Sequence, residues 1–136
     1  LMEFLDEHGI ETPQSGCGFE RVAYHDACHA SHAQAIRAEP RRVLERIPGL
    51  TVVDIPDGSS CCGAAGLFNV LEPQMASALG RKKANNVAAT RATVIASANP
   101  GCSMQIAAHM KERGEDATVL HPVQLLDRAY RPRSRQ

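Results

Sequence analysis

The chain has 136 residues, 15 basic and 15 acidic side chains, five cysteines and no tryptophan. That length supports one core but not two, and the zero net charge excludes a nucleic-acid or anionic-membrane surface built on general electrostatics. No apolar run approaches the roughly 18 residues of a membrane span, and an odd cysteine count differs from the even framework of a small secreted domain, which leaves a reducing, cytoplasmic setting as the expectation.

Because it begins at Leu1, the chain is expected to be a piece of a longer protein, and a signal peptide would then lie out of view. Leu1 to His8 reads as the end of a helix stopped by Gly9 in a left-handed cap. Residues 12–18 form a linker in which Cys17 is a loop thiol without a ligand role. Arg21–His25 is the first strand. The helical stretch from Ala33 to Ile47 should break near Glu39, because Pro40 suits the first turn of a second helix better than an interior. Its buried face should be Val43, Leu44 and Ile47.

Pro48-Gly49 turns the chain into the second strand, Leu50 to Ile55. Gly63 to Leu71 reads as a short helix, and Pro73 opens a long one to about Arg91. Met75, Leu79, Ala84, Val87 and Ala88 are expected to face the sheet there, with Arg81, Lys82 and Lys83 outward. Thr93 to Ala98 is the third strand, apolar as a doubly covered strand should be. A helix from Cys102 to Arg113 follows, then a fourth strand, Ala117 to Leu120, and a last helix opened by Pro122 with Val123, Leu126 and Tyr130 on one face. The pattern predicts an α/β domain: a small parallel four-stranded sheet, order 2-1-3-4, with helices on both faces. Residues 1–20 would be the end of a preceding helix and a linker, 21–131 the domain and 132–136 a tail.

The chemistry is concentrated in Ser60-Cys61-Cys62-Gly63-Ala64-Ala65-Gly66. Adjacent thiolates repel unless a metal or cluster neutralises them, so a Cys-Cys pair bounded by glycines points to a metal or iron-sulfur site. The alternatives are a vicinal disulfide or two buried thiols acting as small hydrophobes. Cys28 and Cys102 each stand where a strand gives way to a helix, as the pair does after the second strand, and in a parallel sheet such loops gather at one edge. Cys28, Cys61, Cys62 and Cys102 are therefore expected to converge. His29 and His121 are candidates to support that site from outside, His121 because it ends the fourth strand on the same edge.

Tyr24-His25-Asp26-Ala27-Cys28-His29, Cys61-Cys62-Gly63-Ala64-Ala65-Gly66 and Asn99-Pro100-Gly101-Cys102 together resemble the cysteine-rich CCG domain of the glycolate oxidase iron-sulfur subunit, a relative of the heterodisulfide reductase family and of lactate-utilisation and anaerobic glycerol-3-phosphate dehydrogenase proteins. The resemblance runs from about Val22 to Tyr130. It implies an iron-sulfur cluster of the [4Fe-4S] type held by Cys28, Cys61, Cys62 and Cys102, with zinc as the alternative. The family pattern ends in Cys-x-x-Cys, and here the last position is Gln105, expected to sit one helical turn from Cys102 and to face the same pocket.

As the resemblance has it, the role is electron transfer from flavin-containing glycolate oxidase subunits, which oxidise a 2-hydroxy acid, toward a quinone-type acceptor. The partners implied are those flavin subunits and an N-terminal ferredoxin-like region of the same protein, with peripheral association at the inner face of the membrane. The fragment itself has no dinucleotide glycine fingerprint and no assigned catalytic residue. The competing readings are a zinc-bound or metal-free docking domain, a heterodisulfide-reductase-like subunit and a thiol-disulfide enzyme using Cys61 and Cys62.

Overall fold

The computed structural model describes residues 1–27, 37–58, 60–64, 66 and 68–131. Four strands, β1 (Arg21–His25), β2 (Thr51–Asp54), β3 (Val94–Ser97) and β4 (Thr118–Leu120), form one sheet. All pairs are parallel and the order is β2-β1-β3-β4, as the sequence predicts. The central strands are thus β1 and β3, in register with His25 opposite Ser97. The topological switch point lies between them, at the edge where their outgoing loops begin.

Alternation along β1 and β3 divides the core into two layers. Val22, Tyr24, Val94 and Ala96 join Leu120, Val43 and Leu44 of α2 (Ala38–Glu45), and Leu125, Leu126 and Ala129 of α6 (Pro122–Tyr130). Met2 of α1 (Met2–His8) and Cys17 belong to that layer too. On the other face, Ala23 and Ile95 meet Ala84 and Val87 of α4 (Pro73–Ala89), and Ile106 and Met110 of α5 (Pro100–Glu112), together with Cys62 and Cys102. Ile106 is 1% exposed, and a side chain buried so fully stabilises the fold by roughly 1.5–3 kcal/mol.

The breaks follow local chemistry. Helix α2 begins at Ala38 with Pro40 in its first turn, and Ile47 is buried beyond its end. The preceding stretch, 28–36, lies outside the described residues, and with it the expected start of that helix at Ala33. Gly9 takes φ 75° but ψ 158°, so it lets the chain turn away from α1 without forming the left-handed cap expected there. The helix predicted over Gly63 to Leu71 is reduced to α3 (Phe68–Leu71). Gly63 and Gly66 have φ of 86° and 51°, values incompatible with right-handed helix.

Two predicted helix faces are met in part: Ala84, Val87 and Leu126 are buried as expected, and Ala88 and Val123 pack against the core. Along α4 the buried stripe is Ala76, Gly80, Lys83, Ala84 and Val87, while Met75 is exposed. The reason is Lys83: its Nζ donates to the carbonyls of Asp57 and Gly58 at 3.3 and 3.1 Å, so the turn after β2 supplies acceptors that let an ammonium be buried. Along α6 the buried residues are Pro122, Leu125, Leu126 and Ala129, and Tyr130 instead stands partly exposed with its hydroxyl donating to the Glu11 carbonyl. No helix among the described residues is long and apolar enough to cross a membrane.

The α4–α5 contact turns on Gly80, where an added Cβ would lie 2.1 Å from the His109 ring. That ring is fixed by Glu112 and Gln105. Gly80→Ala should therefore cost about 1–3 kcal/mol by overpacking, measured as a fall in urea midpoint at unchanged slope. An unchanged midpoint would mean that His109 swings aside freely.

Candidate metal centre

At the β1/β3 switch point the chain assembles a buried group of three donors. The ring of His25 and the sulfurs of Cys62 and Cys102 offer ligand atoms that all lie within 4.8 Å of one another. Exposures are 0%, 1% and 7% respectively. Each donor is brought by a different element. His25 is the last residue of β1 and shares a face with Ala23, two positions back. Cys62 comes from the loop after β2, and Cys102 from the first turn of α5.

Local chemistry fixes these positions. Asn99 is the N-cap of α5, its Oδ1 accepting from the Cys102 amide at 3.0 Å, and Pro100 opens the first turn. The loop carrying Cys62 is held by close backbone approach. A Cβ on Gly63 would sit 2.3 Å from the Ala76 carbonyl oxygen on α4, and one on Gly101 would meet Ala64 at 3.7 Å. The loop is thus wedged between the starts of α4 and α5. Lys83 holds its upstream turn from beneath, while Lys82 pairs with the Asp57 carboxylate at 2.7 Å on the surface. Beyond His25, Asp26 accepts a bidentate pair from Arg41 at 2.8 and 2.9 Å. Arg41 also reaches Asp54 at 2.7 Å, which ties the ends of β1 and β2 together.

The electrostatics favour a thiolate. The Cys62 thiol is pushed down to about 4, first by the hydrogen bond it accepts from Cys102, then by His25 beside it and the Ala64 amide, while burial opposes the shift. His25 lies close enough to act on that sulfur by hydrogen bonding and by charge, although neither ring nitrogen meets strict hydrogen-bond geometry with a partner among the described residues. A sulfur anion next to a second thiol and an unpartnered imidazole is a donor set suited to a soft or borderline metal.

The other predicted site residues fall as follows. Cys61 is half-buried, its sulfur accepting from the Gly63 amide at 3.3 Å, and it stands outside the three-donor group. Cys28 and His29 lie outside the described residues. Gln105 is one turn beyond Cys102 on α5, but its Nε2 lies 3.2 Å from Nε2 of His109, directed along the helix toward the α4 contact. His121 caps α6: its Nδ1 accepts from the Val123 amide at 3.2 Å, and Gln124 closes the capping box from the other side. Burial, with the chain's amino terminus nearby, lowers its pKa. Cys17 is buried in the opposite core layer, its thiol facing the Phe19 carbonyl. His25 was missed by sequence reasoning, although its parity with Ala23 on a central strand would have placed it on the same face as Cys62 and Cys102.

Residues 22–107 match the family model described as a cysteine-rich domain, CCG. The chain is 34% identical over 119 residues to the probable glycolate oxidase iron-sulfur subunit of Bacillus subtilis, covering 85% of this chain and 26% of that protein. Against lactate utilization protein A of Oceanobacillus iheyensis it is 29% identical over 107 residues, 79% and 44% of the two chains. A fumarate reductase (CoM/CoB) component of Methanothermobacter marburgensis is 35% identical over 111 residues, 81% and 23% of the two. The chain therefore spans less than half the length of each of these relatives.

The depressed Cys62 value has a sign for stability. A group whose folded value lies below its unfolded one, about 8.5 for a thiol, contributes fully above the unfolded value and loses that contribution as pH falls toward about 4. In metal-free chain, ultraviolet thiolate absorption should persist on acidification and titrate away near pH 4, and Cys62→Ser should remove that step. Titration of every thiolate near the ordinary value would contradict the assignment.

Proposed function

The chain belongs to the CCG cysteine-rich domain family, and on that premise we propose that it is the metal-binding, electron-transferring part of an oxidoreductase subunit. The observation that carries the proposal is the buried convergence of Cys62, Cys102 and His25 within 4.8 Å. It is supported by relatives named as iron-sulfur proteins. In the finer reading the group is a [4Fe-4S]-type cluster held by Cys28, Cys61, Cys62 and Cys102. Such a cluster supplies one-electron transfer at a potential set by ligand type, charge and burial.

The residues of this chain prepare that chemistry rather than perform a bond-making step. The hydrogen bond accepted from Cys102 stabilises the Cys62 thiolate, the wedge at Gly63 fixes the loop, and the apolar layer of Ile55, Ala84, Val87 and Ile106 excludes water. The full assembly in this reading includes flavin-containing glycolate oxidase subunits that oxidise a 2-hydroxy acid, a ferredoxin-like region in the same protein, and a quinone-type acceptor. Its place is the cytoplasm, peripheral at the inner face of the membrane. Hydride or carbanion chemistry belongs to the flavin partner.

A second reading is favoured by one specific observation. Donors bonded to one tetrahedral zinc at about 2.0–2.3 Å stand roughly 3.3–3.8 Å apart, and a group confined within 4.8 Å is near that spacing. Zinc would make the domain a docking element of the same complex.

Anaerobic loading of the full chain with iron and sulfide, in competition with zinc, separates these. Bound iron with thiolate-to-iron absorption bands is the expected result; exclusive retention of zinc favours the docking reading, and failure to retain either metal overturns both. Cys62→Ser and Cys102→Ser should each lower retained metal at least about tenfold, and Cys17→Ser should leave it unchanged. An equal loss at Cys17 would mean that the ligand set is wrong.

A further inference from the structure

We infer that His25 is a direct ligand of this centre, so that the site is a mixed thiolate-imidazole one. The inference rests on the reading that the centre binds metal and goes beyond it by naming a nitrogen donor, which takes the place of one of the thiolates, Cys28 or Cys61, in the four-cysteine set. Its first support is placement: His25 ends a central strand, on the face that carries Cys62 and Cys102, and its ring nitrogen lies within 4.8 Å of both sulfurs.

The second support is that the ring is fully buried and that, among the described residues, neither nitrogen has a partner at good hydrogen-bond geometry. A neutral imidazole has one donor and one acceptor nitrogen, and leaving a buried polar group unmet costs roughly 1–3 kcal/mol. The buried histidine of the same layer shows the ordinary solution. His109 has Nδ1 at 2.8 Å from Glu112 Oε2 and Nε2 at 3.2 Å from the Gln105 amide. Among the described residues, the Asp26 carboxylate is committed to Arg41 and the Gln105 amide to His109. A metal bound to the two sulfurs would take the lone pair of the acceptor nitrogen.

The consequence is electrostatic. A neutral imidazole adds no negative charge where a further thiolate would, and replacement of thiolate by imidazole raises the reduction potential of an iron-sulfur centre. His25 would therefore bias the centre toward accepting electrons, and its loss to a thiolate would lower the potential without changing the fold around it.

The test uses the full chain, labelled with nitrogen-15 histidine, loaded anaerobically with iron and sulfide and studied by pulsed EPR in its paramagnetic state. A directly coordinated nitrogen is expected, retained in His29→Ala and absent in His25→Cys, which should keep iron at a lower potential. Should His25→Cys misfold, His25→Ala in unlabelled chain with labelled imidazole added should recover the coupling. Loading with zinc alone, read by X-ray absorption at the zinc edge, should likewise count a nitrogen that His25→Ala removes. Metal bound with no nitrogen coupling, or coupling that survives loss of His25 or vanishes in His29→Ala, overturns the inference and leaves the proposed function standing. Failure to bind either metal overturns both.

Discussion

The structure depends on accommodating three polar donors, Cys62, Cys102 and His25, inside a hydrophobic layer. Cys62 is 1% exposed and its thiol is pushed down to about 4, against the general tendency of burial to favour the neutral form. The compensation is local: a hydrogen bond from Cys102, an imidazole alongside and the Ala64 amide. None of these is close in sequence except the amide. They meet because a parallel sheet in the order β2-β1-β3-β4 delivers the ends of its strands to one edge.

Holding that group requires backbone as much as side chain. Gly63 lies so close to Ala76 that no side chain fits, and its positive φ excludes most residues in any case. The turn before the cysteines is held by Lys83 from inside and Lys82 from outside. Asp57 in that turn has φ 51°, an uncommon conformation for a non-glycine residue. Helix α4 therefore acts as the bed of the cysteine loop, and α5 supplies the opposing sulfur from a first turn capped by Asn99. The two helices are brought together by the Gly80–His109 contact, so core packing sets the geometry of the donor group.

The strands and their order were legible in the sequence, because apolar runs bounded by Pro and Gly turns are local signals, and so was the edge that brings Cys62 to Cys102. Which of two adjacent cysteines points inward was not, since that follows from φ at Gly63 and from its contact with α4. Lys83 read as solvent-facing because a buried ammonium needs acceptors, and those acceptors are carbonyls some 25 residues away in the chain. His121, which ends a strand on the expected edge, is used as a helix cap. His25 was visible as a strand residue, but its unmet nitrogens are a tertiary fact.

The central claim is that the residues around Cys62 form one metal centre, and its most direct test is a crystal structure of the anaerobically iron-loaded full chain with anomalous data collected at the iron edge. The account predicts iron density bonded to the sulfurs of Cys62 and Cys102 and to the His25 ring. Iron bound elsewhere on the chain, with Cys62 and Cys102 still hydrogen-bonded to each other, would contradict it.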